Sequence, residues 1–369
     1  MVNKKTWYEV ENVGDYDSPA LLVYPERIKG NIRRVVEKVE PGHLRPHVKT
    51  NKIAEVCSLM QDAGIQKFKA ATIAEAEMLA MIKAKDVLLA YPPTIPKAKR
   101  LIRLIQKYPE TKFSCLVDHE EHIRSLSSFF TENGLVAHVY IDLNLGMNRT
   151  GVRPEKVPAI YQAIKSAPSV ELMGLHSYDG HIRDRDVNLR KKNVEEAFTP
   201  VLALKKDLEK KEERPLTLVA GGTPTGFIHA ELGHRESSPG TFIFWDRGYS
   251  EILPEQDFEW AAVVISRVIS IPGPELICTD LGHKSVAAEN PPPRIYFLNA
   301  PEAVQVSQSE EHLVLKVPDS SIFKPGDVLY GVPWHICPTV ALYDKAWVVE
   351  HNQILRFWEV VARKREITI

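Results

Sequence analysis

Lys49 stands at the end of a short apolar stretch, in the segment Leu44-Arg-Pro-His-Val-Lys-Thr-Asn-Lys52. We predict a strand that ends at Lys49 and a helix that follows it. In barrels of parallel strands, the side chains that do chemistry project from the carboxyl ends of the strands. A lysine there can form a Schiff base with a carbonyl compound when burial and neighbouring cations such as Arg45 favour its uncharged amine. Taken alone, the segment more often marks a lysine that extends into solvent, so the neighbouring motifs must decide.

A glycine-rich loop, Val219-Ala-Gly-Gly-Thr-Pro-Thr225, follows the last predicted strand of this series. Paired glycines let a backbone approach an anion closely, and the hydroxyls of Thr223 and Thr225 are hydrogen-bond donors. A second turn, Ser238-Pro-Gly-Thr241, could close the same pocket. Most glycine-rich loops only make turns, but a loop after the late strands of a barrel is a common phosphate site. The loop is therefore a candidate phosphate site.

Two further strand ends carry side chains that suit a flat, anionic ligand. The segment 141–151 places Arg149 just past one predicted strand, and the segment 174–181 places Tyr178 and His181 at the end of the next. An aromatic side chain at this edge can stack on a flat ring, and an arginine can hydrogen-bond a phenolate oxygen. A satisfied residue of the core or the rim is the alternative for each.

His335 and Cys337 are two residues apart in the segment Gly331-Val-Pro-Trp-His-Ile-Cys-Pro-Thr339. On an extended strand both side chains point to the same face. Imidazole and thiolate together suit zinc or a similar metal. An isolated His-x-Cys pair is usually accidental, and it gains weight only from its context.

The order of predicted elements indicates what positions these side chains. Eight strand candidates alternate with helical segments, at 20–24, 44–49, 67–71, 86–91, 112–118, 136–144, 170–178 and 216–221, with a ninth candidate at 242–246. This alternation predicts a parallel (β/α)8 barrel of the TIM type. After about residue 255, short runs rich in Val and Ile between turn residues predict antiparallel strands. We therefore predict a barrel domain over 18–250 and a β domain over 251–369, which residues 1–17 join.

Composition excludes several classes of function. Among 369 residues, 47 are basic and 48 are acidic, so the formal net charge is −1 and no nucleic-acid partner is expected. The sequence has no apolar run of the roughly 20 residues that a membrane span needs. It also begins without the apolar stretch of a signal peptide. The four cysteines are scattered, which argues against a disulfide framework. We expect a cytoplasmic protein with no membrane partner.

Taken together, these segments resemble the alanine-racemase-like class of pyridoxal-phosphate enzymes, also called fold type III. The Pro-His-Val-Lys-Thr, Gly-Met-Asn-Arg-Thr-Gly-Val and Ala-Gly-Gly-Thr-Pro-Thr segments occur in the order that the family shows. The chain is most similar to the branch of D-threonine aldolases and D-serine dehydratases, over nearly its whole length. The resemblance implies a barrel that carries pyridoxal 5'-phosphate, a following β domain, and a homodimer.

The resemblance also implies roles for single residues. Lys49 would form the Schiff base with the cofactor, Arg149 would contact its phenolate oxygen, and Tyr178 would lie against its pyridine ring. The residues implied to hold the phosphate are Gly221, Gly222, Thr223, Gly240 and Thr241. One departure is Asn51, because many members of the family carry a histidine two residues after the lysine. The role of that histidine is therefore open in this chain.

In this branch the spacing of His335 and Cys337 resembles the metal-binding pair. A thiolate favours zinc over magnesium, and manganese and magnesium are the alternatives. His-x-Cys is similar to the dehydratases, whereas several aldolases carry aspartate in place of the cysteine. The Pro-Thr that follows is similar to the aldolases. The two signals conflict.

The reaction we predict is performed on D-amino acids that bear a β-hydroxyl. A D-threonine-aldolase-type cleavage to glycine and an aldehyde is the first hypothesis, with His181 as a candidate base. The second is a dehydratase of D-serine or D-3-hydroxyaspartate, which gives a 2-oxo acid and ammonia after Lys49 takes the α-proton. A metal-free amino-acid racemase is more distant. A non-catalytic cofactor-binding protein is the alternative of a different class, and the C-terminal β domain argues against it.

Overall fold

The computed structural model describes residues 6–233 and 235–369. The strands in chain order are β1 (Ala20–Val23), β2 (Lys67–Ala70), β3 (Asp86–Leu89), β4 (Lys112–Val117), β5 (Ala137–Leu143), β6 (Val170–Ser177), β7 (Thr217–Ala220), β8 (Glu236–Ser237), β9 (Ala262–Gly273), β10 (Leu276–Thr279), β11 (Ile295–Phe297), β12 (Val304–Gln308), β13 (Leu313–Lys316), β14 (Val328–Pro333), β15 (Lys345–Glu350) and β16 (Gln353–Glu359). The helices are α1 (Pro25–Lys38), α2 (Ala54–Asp62), α3 (Ile73–Met81), α4 (Ile95–Lys107), α5 (Glu120–Glu132), α6 (Val157–Ser166), α7 (Val187–Glu212), α8 (Gly226–Glu231), α9 (Arg247–Ile252) and α10 (Ile336–Val340).

The chain divides into two units. One, here called the barrel unit, contains Arg34–Lys49, Val56–Gly240 and Lys364–Ile369. The other, here called the sheet unit, contains the residues up to Arg33, Thr50–Glu55 and Thr241–Arg363. The domain boundaries at 18 and 250 stay predictions.

The barrel unit is built on a parallel sheet in which seven strands, β2 to β8, follow one another in chain order. The segment 44–47 makes isolated parallel bridges to both edge strands, from Leu44 to Ser237 of β8 and from His47 to Lys69 of β2. It forms only bridges because Pro46 has no N–H to donate and because Val48–Thr50 turns into a 3-10 helix. The segment 44–49 was predicted as a strand that ends at Lys49, and this was wrong: 44–47 only bridges the two edges at the eighth position, and Lys49 lies in the 3-10 helix.

Side chains of the barrel strands form polar and apolar groups. At the amino ends, Arg45 pairs with Asp86 and Glu236, each at 2.6 Å. A buried apolar cluster is formed by Leu88, Leu116, Tyr140 and Val219. Because side chains alternate along a strand, Lys69 points to the same side of β2 as Lys67, and Asp142 to the same side of β5 as Tyr140. In each pair the second residue lies two residues nearer the carboxyl end. The carboxyl end of the sheet is therefore polar, which suits a functional edge.

The sheet unit holds the antiparallel strands that were predicted for the C-terminal part. Its nine strands include the path β12-β13-β10-β9-β1-β15-β16, and β14 pairs with β9 and β11. Its core is formed by Val10, Ala20, Leu22, Tyr24, Val263, Ile265, Tyr330, Val332, Val349 and Ile354. The predicted fold class, a parallel α/β barrel followed by an antiparallel domain, is confirmed.

Two strand assignments were wrong. The first predicted barrel strand, 20–24, is β1, which pairs with β9 and β15 in the sheet unit. All four residues of β1 are buried, and a strand buried on both faces has the same apolar pattern in a barrel and in the middle of another sheet. The ninth candidate, 242–246, begins in the 3-10 helix Thr241–Ile243. Its apolar run reflects burial, which periodicity cannot assign to a strand.

Among the residues described, no helix has both the length and the apolar character that crossing a membrane requires.

Candidate active site

The barrel unit brings three of the predicted cofactor residues together around one aromatic ring. The Nζ atom of Lys49 lies 5.9 Å from the centre of the Tyr178 ring, and the Cζ atom of Arg149 lies 5.2 Å from it. Lys49 is placed by the bridged segment 44–47, whereas Tyr178 directly follows β6. Cations over an aromatic face are attracted by its ring electrons. The ring therefore lies at a cluster of positive charge.

The glycine-rich loop reaches the same ring. A Cβ atom on Gly222 would come within 2.8 Å of Cε2 of Tyr178, so only glycine allows this close approach. Gly221 has a φ of +75°, in the left-handed region that favours glycine. The backbone N–H of Gly240 donates to the hydroxyl of Thr223 over 3.2 Å, which joins the two predicted phosphate turns. This cradle, with an amine and a guanidinium at the same ring, fits a flat phosphorylated aldehyde.

A buried network supports the loop from behind. Asp179 accepts a hydrogen bond from the hydroxyl of Thr225 and another from Nε2 of His229, each over 2.7 Å. Arg235 donates to Nδ1 of the same imidazole over 2.7 Å. The four side chains are buried, and Asp179 is the neighbour of Tyr178 in the chain. The network thus connects the residue after β6 with the loop after β7.

A second network lies beneath the ring. The Nζ atom of Lys69 lies 3.4 Å from Nε2 of His176, and Nδ1 of His176 lies 2.6 Å from Oδ1 of Asp142. Lys69 also lies 5.6 Å from the centre of the Tyr178 ring. Burial and the charge of Lys49 lower the pKa of Lys69 to about 7, although Asp142 and Asp179 act in the opposite direction. Burial and the charge of Lys69 also lower the pKa of His176, although Asp142 acts in the opposite direction.

Sequence reasoning missed both networks. The signal for Lys69 was present, because a lysine between the buried residues Phe68 and Ala70 in β2 is rare unless it has a partner or a function. Asp179 and His229 carried no such signal, since their relation depends on two loops that are far apart in the sequence.

The structure places the candidate base His181 at the surface. Its side chain is exposed, and its Nε2 atom would lie 3.0 Å from a Cβ atom on Gly146. Gly146 belongs to the loop that carries Arg149. His181 thus lies beside that loop.

Asn51, which stands where many family members have histidine, is buried in the sheet unit. Its Oδ1 atom accepts a hydrogen bond from the backbone N–H of Ile53 over 3.0 Å. This local bond shapes the turn that leads into α2.

The candidate metal pair lies in the sheet unit, but not on a strand. His335 is the residue before α10, and Cys337 lies in its first turn, so the argument from an extended strand was wrong. The two side chains nevertheless lie close enough for Cys337 to raise the pKa of His335. The Sγ atom of Cys337 lies 3.1 Å from the hydroxyl of Thr50 and 3.6 Å from that of Thr241. A helix start, rather than a strand, brings the pair together.

Carboxylates surround this pair. Nδ1 of His335 donates to Glu289, which leaves Nε2 as the nitrogen that can bind a metal. Burial lowers the pKa of His335. The hydrogen bond and charge of Cys337, the hydrogen bond to Glu289 and the charge of Asp246 outweigh burial and raise the pKa to about 9. Within 6–233 and 235–369, no three His, Cys, Asp or Glu side chains form a group that could hold a metal. The imidazole and thiol fit a site with two protein ligands.

Comparison with known proteins agrees with this geometry. Residues 23–248 match the family model "Alanine racemase, N-terminal domain", and residues 261–349 match a "Putative serine dehydratase domain". The chain is 26% identical to a D-threonine aldolase of an Arthrobacter species, over 94% of this chain and 93% of that relative. It is 27% identical to a 3-hydroxy-D-aspartate aldolase of Paracoccus denitrificans, over 95% of this chain and 92% of the relative.

A solved structure shows the same fold. The crystal structure of D-threonine aldolase from Filomicrobium marinum aligns with a TM-score of 0.86 and 24% identity, over 95% of this chain and 96% of that one. The resemblance inferred from the sequence motifs is confirmed. The chain therefore belongs to the family of the alanine racemase N-terminal domain, followed by a domain of the putative serine dehydratase kind.

Proposed function

We propose that the protein is a pyridoxal-phosphate-dependent lyase that cleaves D-amino acids bearing a β-hydroxyl, most closely in the manner of a D-threonine aldolase. The observation that carries the proposal is the convergence of Lys49, Arg149 and the Gly222 loop on the ring of Tyr178. The aldolase names of two relatives that align over more than nine-tenths of the chain support the reaction type.

Each residue around the ring has a part in holding the cofactor. Lys49 would bind it covalently through its amine, Arg149 would contact the phenolate oxygen, and Tyr178 would lie against the ring. The phosphate would be held by Gly221, Gly222, Thr223, Gly240 and Thr241. When bound, pyridoxal phosphate supplies an electron sink for bond cleavage at the α-carbon of an amino acid. The amine of Lys49, the ring of Tyr178 and the phosphate loop would together fix the position of the cofactor, so that bond cleavage occurs at one bond of the α-carbon.

The pair His335 and Cys337 would hold a divalent metal, with zinc favoured by the thiolate and manganese or magnesium as alternatives. The hydrogen bond from His335 to Glu289 supports this proposal, because metal-binding imidazoles are commonly oriented by a carboxylate on their second nitrogen. A metal there would supply Lewis acidity toward the β-hydroxyl.

A retro-aldol cleavage needs a base for the β-hydroxyl proton and a donor for the α-carbon. His181 is the candidate base, since its imidazole is exposed and lies against the loop of Arg149. Lys49 is the candidate donor, because its amine lies beside the ring of Tyr178, against which the cofactor would lie. The products would be glycine and an aldehyde.

The second candidate is a dehydratase of D-serine or D-3-hydroxyaspartate, in which Lys49 takes the α-proton and hydroxide leaves. Two observations favour it: the match of 261–349 to a putative serine dehydratase domain, and the thiol at position 337. The products would be a 2-oxo acid and ammonia. An amino-acid racemase is a more distant alternative. A homodimer is part of the proposal by resemblance to the family.

Product analysis tests the proposal. The purified protein, loaded with pyridoxal phosphate, is given D-threonine, D-serine and D-threo-3-hydroxyaspartate, before and after chelation and after zinc is restored. Glycine with acetaldehyde from D-threonine supports the aldolase, whereas pyruvate with ammonia from D-serine supports the dehydratase. Lys49→Ala should abolish either reaction, while Lys85→Ala, at an exposed lysine, should leave it unchanged. Activity that survives complete chelation would remove the metal from the proposal.

A further inference from the structure

The backbone on both sides of His335 is held by residues at the start of α9. The N–H of Ile336, the first residue of α10, donates a hydrogen bond to Oδ2 of Asp246 over 3.1 Å. The N–H of Gly248, in the first turn of α9, donates to the carbonyl oxygen of Trp334 over 3.0 Å. His335 lies between these two anchors, so the conformation of its backbone is restrained from both sides.

The first of these anchors is itself fixed. Asp246 is 1% exposed, and its Oδ1 atom accepts the N–H of Tyr249 over 2.8 Å at the start of α9. Its backbone carbonyl accepts the hydroxyl of Ser250 over 2.7 Å, and Nε1 of Trp260 donates to the same hydroxyl over 2.7 Å. One buried carboxylate therefore caps the starts of two helices, where N–H groups lack partners within the helix.

The second anchor requires a glycine. A Cβ atom on Gly248 would lie 2.7 Å from the carbonyl oxygen of Trp334, which is closer than real Cβ atoms approach a neighbour. Trp334 is also held by its own N–H, which donates to the carbonyl oxygen of Arg294 over 2.8 Å. Any larger residue at position 248 would therefore displace backbone directly before His335.

The side chain of His335 takes no part in capping α10. The residue before a helix is commonly Ser, Thr, Asp or Asn, because its side-chain oxygen accepts an N–H of the first turn. His335 occupies this position without a side-chain capping bond, and Asp246 supplies an acceptor instead. The imidazole therefore hydrogen-bonds Glu289 through Nδ1, which leaves Nε2 for a metal.

We propose that Asp246 and Gly248 are positioning residues of the candidate metal pair. They fix the backbone around His335, and with it the first turn of α10, which carries Cys337. The imidazole and the thiol are thus ordered before a metal ion binds, which lowers the cost of ordering them on binding. Asp246 acts through its hydrogen bonds and is not a metal ligand in this proposal. The inference rests on the proposed function, because it assumes that the pair holds a divalent metal.

The zinc affinity of the folded protein tests the inference. The full-length protein, freed of metal by a chelator that is then removed, is titrated with zinc in competition with a chromophoric chelator. Asp246→Ala removes both capping bonds and should raise the Kd for zinc about 10- to 100-fold, as the loss of a residue that orients a ligand commonly does. Asp319→Ala removes a capping carboxylate outside the site, at the 3-10 helix Ser320–Ile322, and should stay within about 2-fold of the wild type. Unfolding of the metal-free proteins in urea measures stability separately, and a merely structural role would change stability but leave the Kd unchanged.

Two glycine variants keep the test decisive if Asp246→Ala fails to fold. Gly248→Ala should also raise the Kd, because its Cβ displaces the backbone before His335. Gly273→Ala is the matched control, since an added Cβ at that end of β9 would meet no atom within 4 Å, and it should match the wild type. Asp246→Asn retains one acceptor oxygen, so its Kd should lie between those of the wild type and Asp246→Ala.

His335→Ala separates the inference from the proposed function. If zinc binding is lost in His335→Ala but the folded variants of Asp246 and Gly248 keep the wild-type Kd, the inference is overturned and the metal pair stays intact. If the wild type binds zinc no more tightly than His335→Ala does, both the inference and the proposed metal site are overturned.

Discussion

Tyr178 is the residue on which the charges of the candidate site converge. The Nζ atoms of Lys49 and Lys69 and the Cζ atom of Arg149 lie 5.9, 5.6 and 5.2 Å from its ring centre, and a Cβ on Gly222 would clash with it. A ring in this position can serve at once as a platform for a flat ligand and as a partner for cations. Replacing it should therefore affect cofactor binding more than folding.

Tyr178→Ala should make the bound cofactor dissociate faster, by about 2- to 10-fold, because a lost aromatic contact is worth about 0.5–1.5 kcal/mol. Tyr178→Phe keeps the ring and should stay within about 2-fold of the wild type. The absorbance of the bound cofactor during dilution into cofactor-free buffer measures the rate. If the cofactor dissociates from Tyr178→Ala no faster than from Tyr178→Phe, the ring has no role in holding it.

The depressed pKa of Lys69 also predicts how stability depends on pH. Burial, with the charge of Lys49, lowers the pKa of Lys69 to about 7 in the folded protein, whereas an unfolded lysine has a pKa of about 10.4. Between these values the unfolded chain binds more protons, so the contribution of Lys69 to stability rises with pH. The free energy of unfolding of the cofactor-free wild type minus that of Lys69→Met should rise from pH 7 to 10, measured with denaturant. A flat difference would show that Lys69 is protonated throughout.

At the scale of elements, two loops form the site: the one after β6, which carries Tyr178 and Asp179, and the one after β7, which carries Gly221 and Gly222. Asp179 fixes their relation through Thr225 and His229. The carboxylate of Asp179 is therefore a structural support of the predicted phosphate loop.

Asp179→Ala should lower stability by about 1–3 kcal/mol, because it leaves the N–H of a buried imidazole without its acceptor. It should also weaken cofactor binding more than Tyr178→Phe does. Asp207→Ala, on the exposed surface of α7, is the control and should change stability by less than about 0.5 kcal/mol. Thermal unfolding of the cofactor-free proteins separates the effect on the fold from that on binding. Equal stability of the two variants would show that the Asp179 network does not support the loop.

Sequence reasoning predicted the elements better than their partners. Tyr178 could be placed directly after a strand because an apolar run ends there and polar residues follow, whereas Lys49 lies in a 3-10 helix and Arg149 in the loop after β5. The place of β1 could not be found, because a fully buried strand has no pattern that says which sheet it joins. The start of α10 directly after His335 was missed, because a histidine and a cysteine two residues apart fit an extended strand as well as a helix start.

At the scale of the whole molecule, sequence order and structural order differ. The family models match consecutive parts of the chain, 23–248 and 261–349. In the sheet unit, however, β1 from the beginning of the chain pairs with β9 and with β15 from the end. The antiparallel sheet therefore requires both ends of the chain, and a cut between the matched parts divides it.

A fragment of residues 1–250 should not form a stable fold, because β1 would lose both of its neighbours and expose two unpaired edges. Expression of this fragment beside the full chain, followed by gel filtration and thermal unfolding, measures the effect. We expect aggregation of the fragment and a cooperative transition of the full chain. A monomeric fragment that unfolds cooperatively would show that the fragment folds without the pairing of β1 to β9 and β15.

The proposed function requires that the amine of Lys49 binds pyridoxal phosphate covalently. The most direct measurement is reduction of the cofactor-loaded protein with borohydride, followed by proteolysis and mass spectrometry of the peptides. We expect one phosphopyridoxyl group on Lys49, absent from Lys49→Ala. A label on another lysine, such as Lys69, or no label on any peptide, would contradict it.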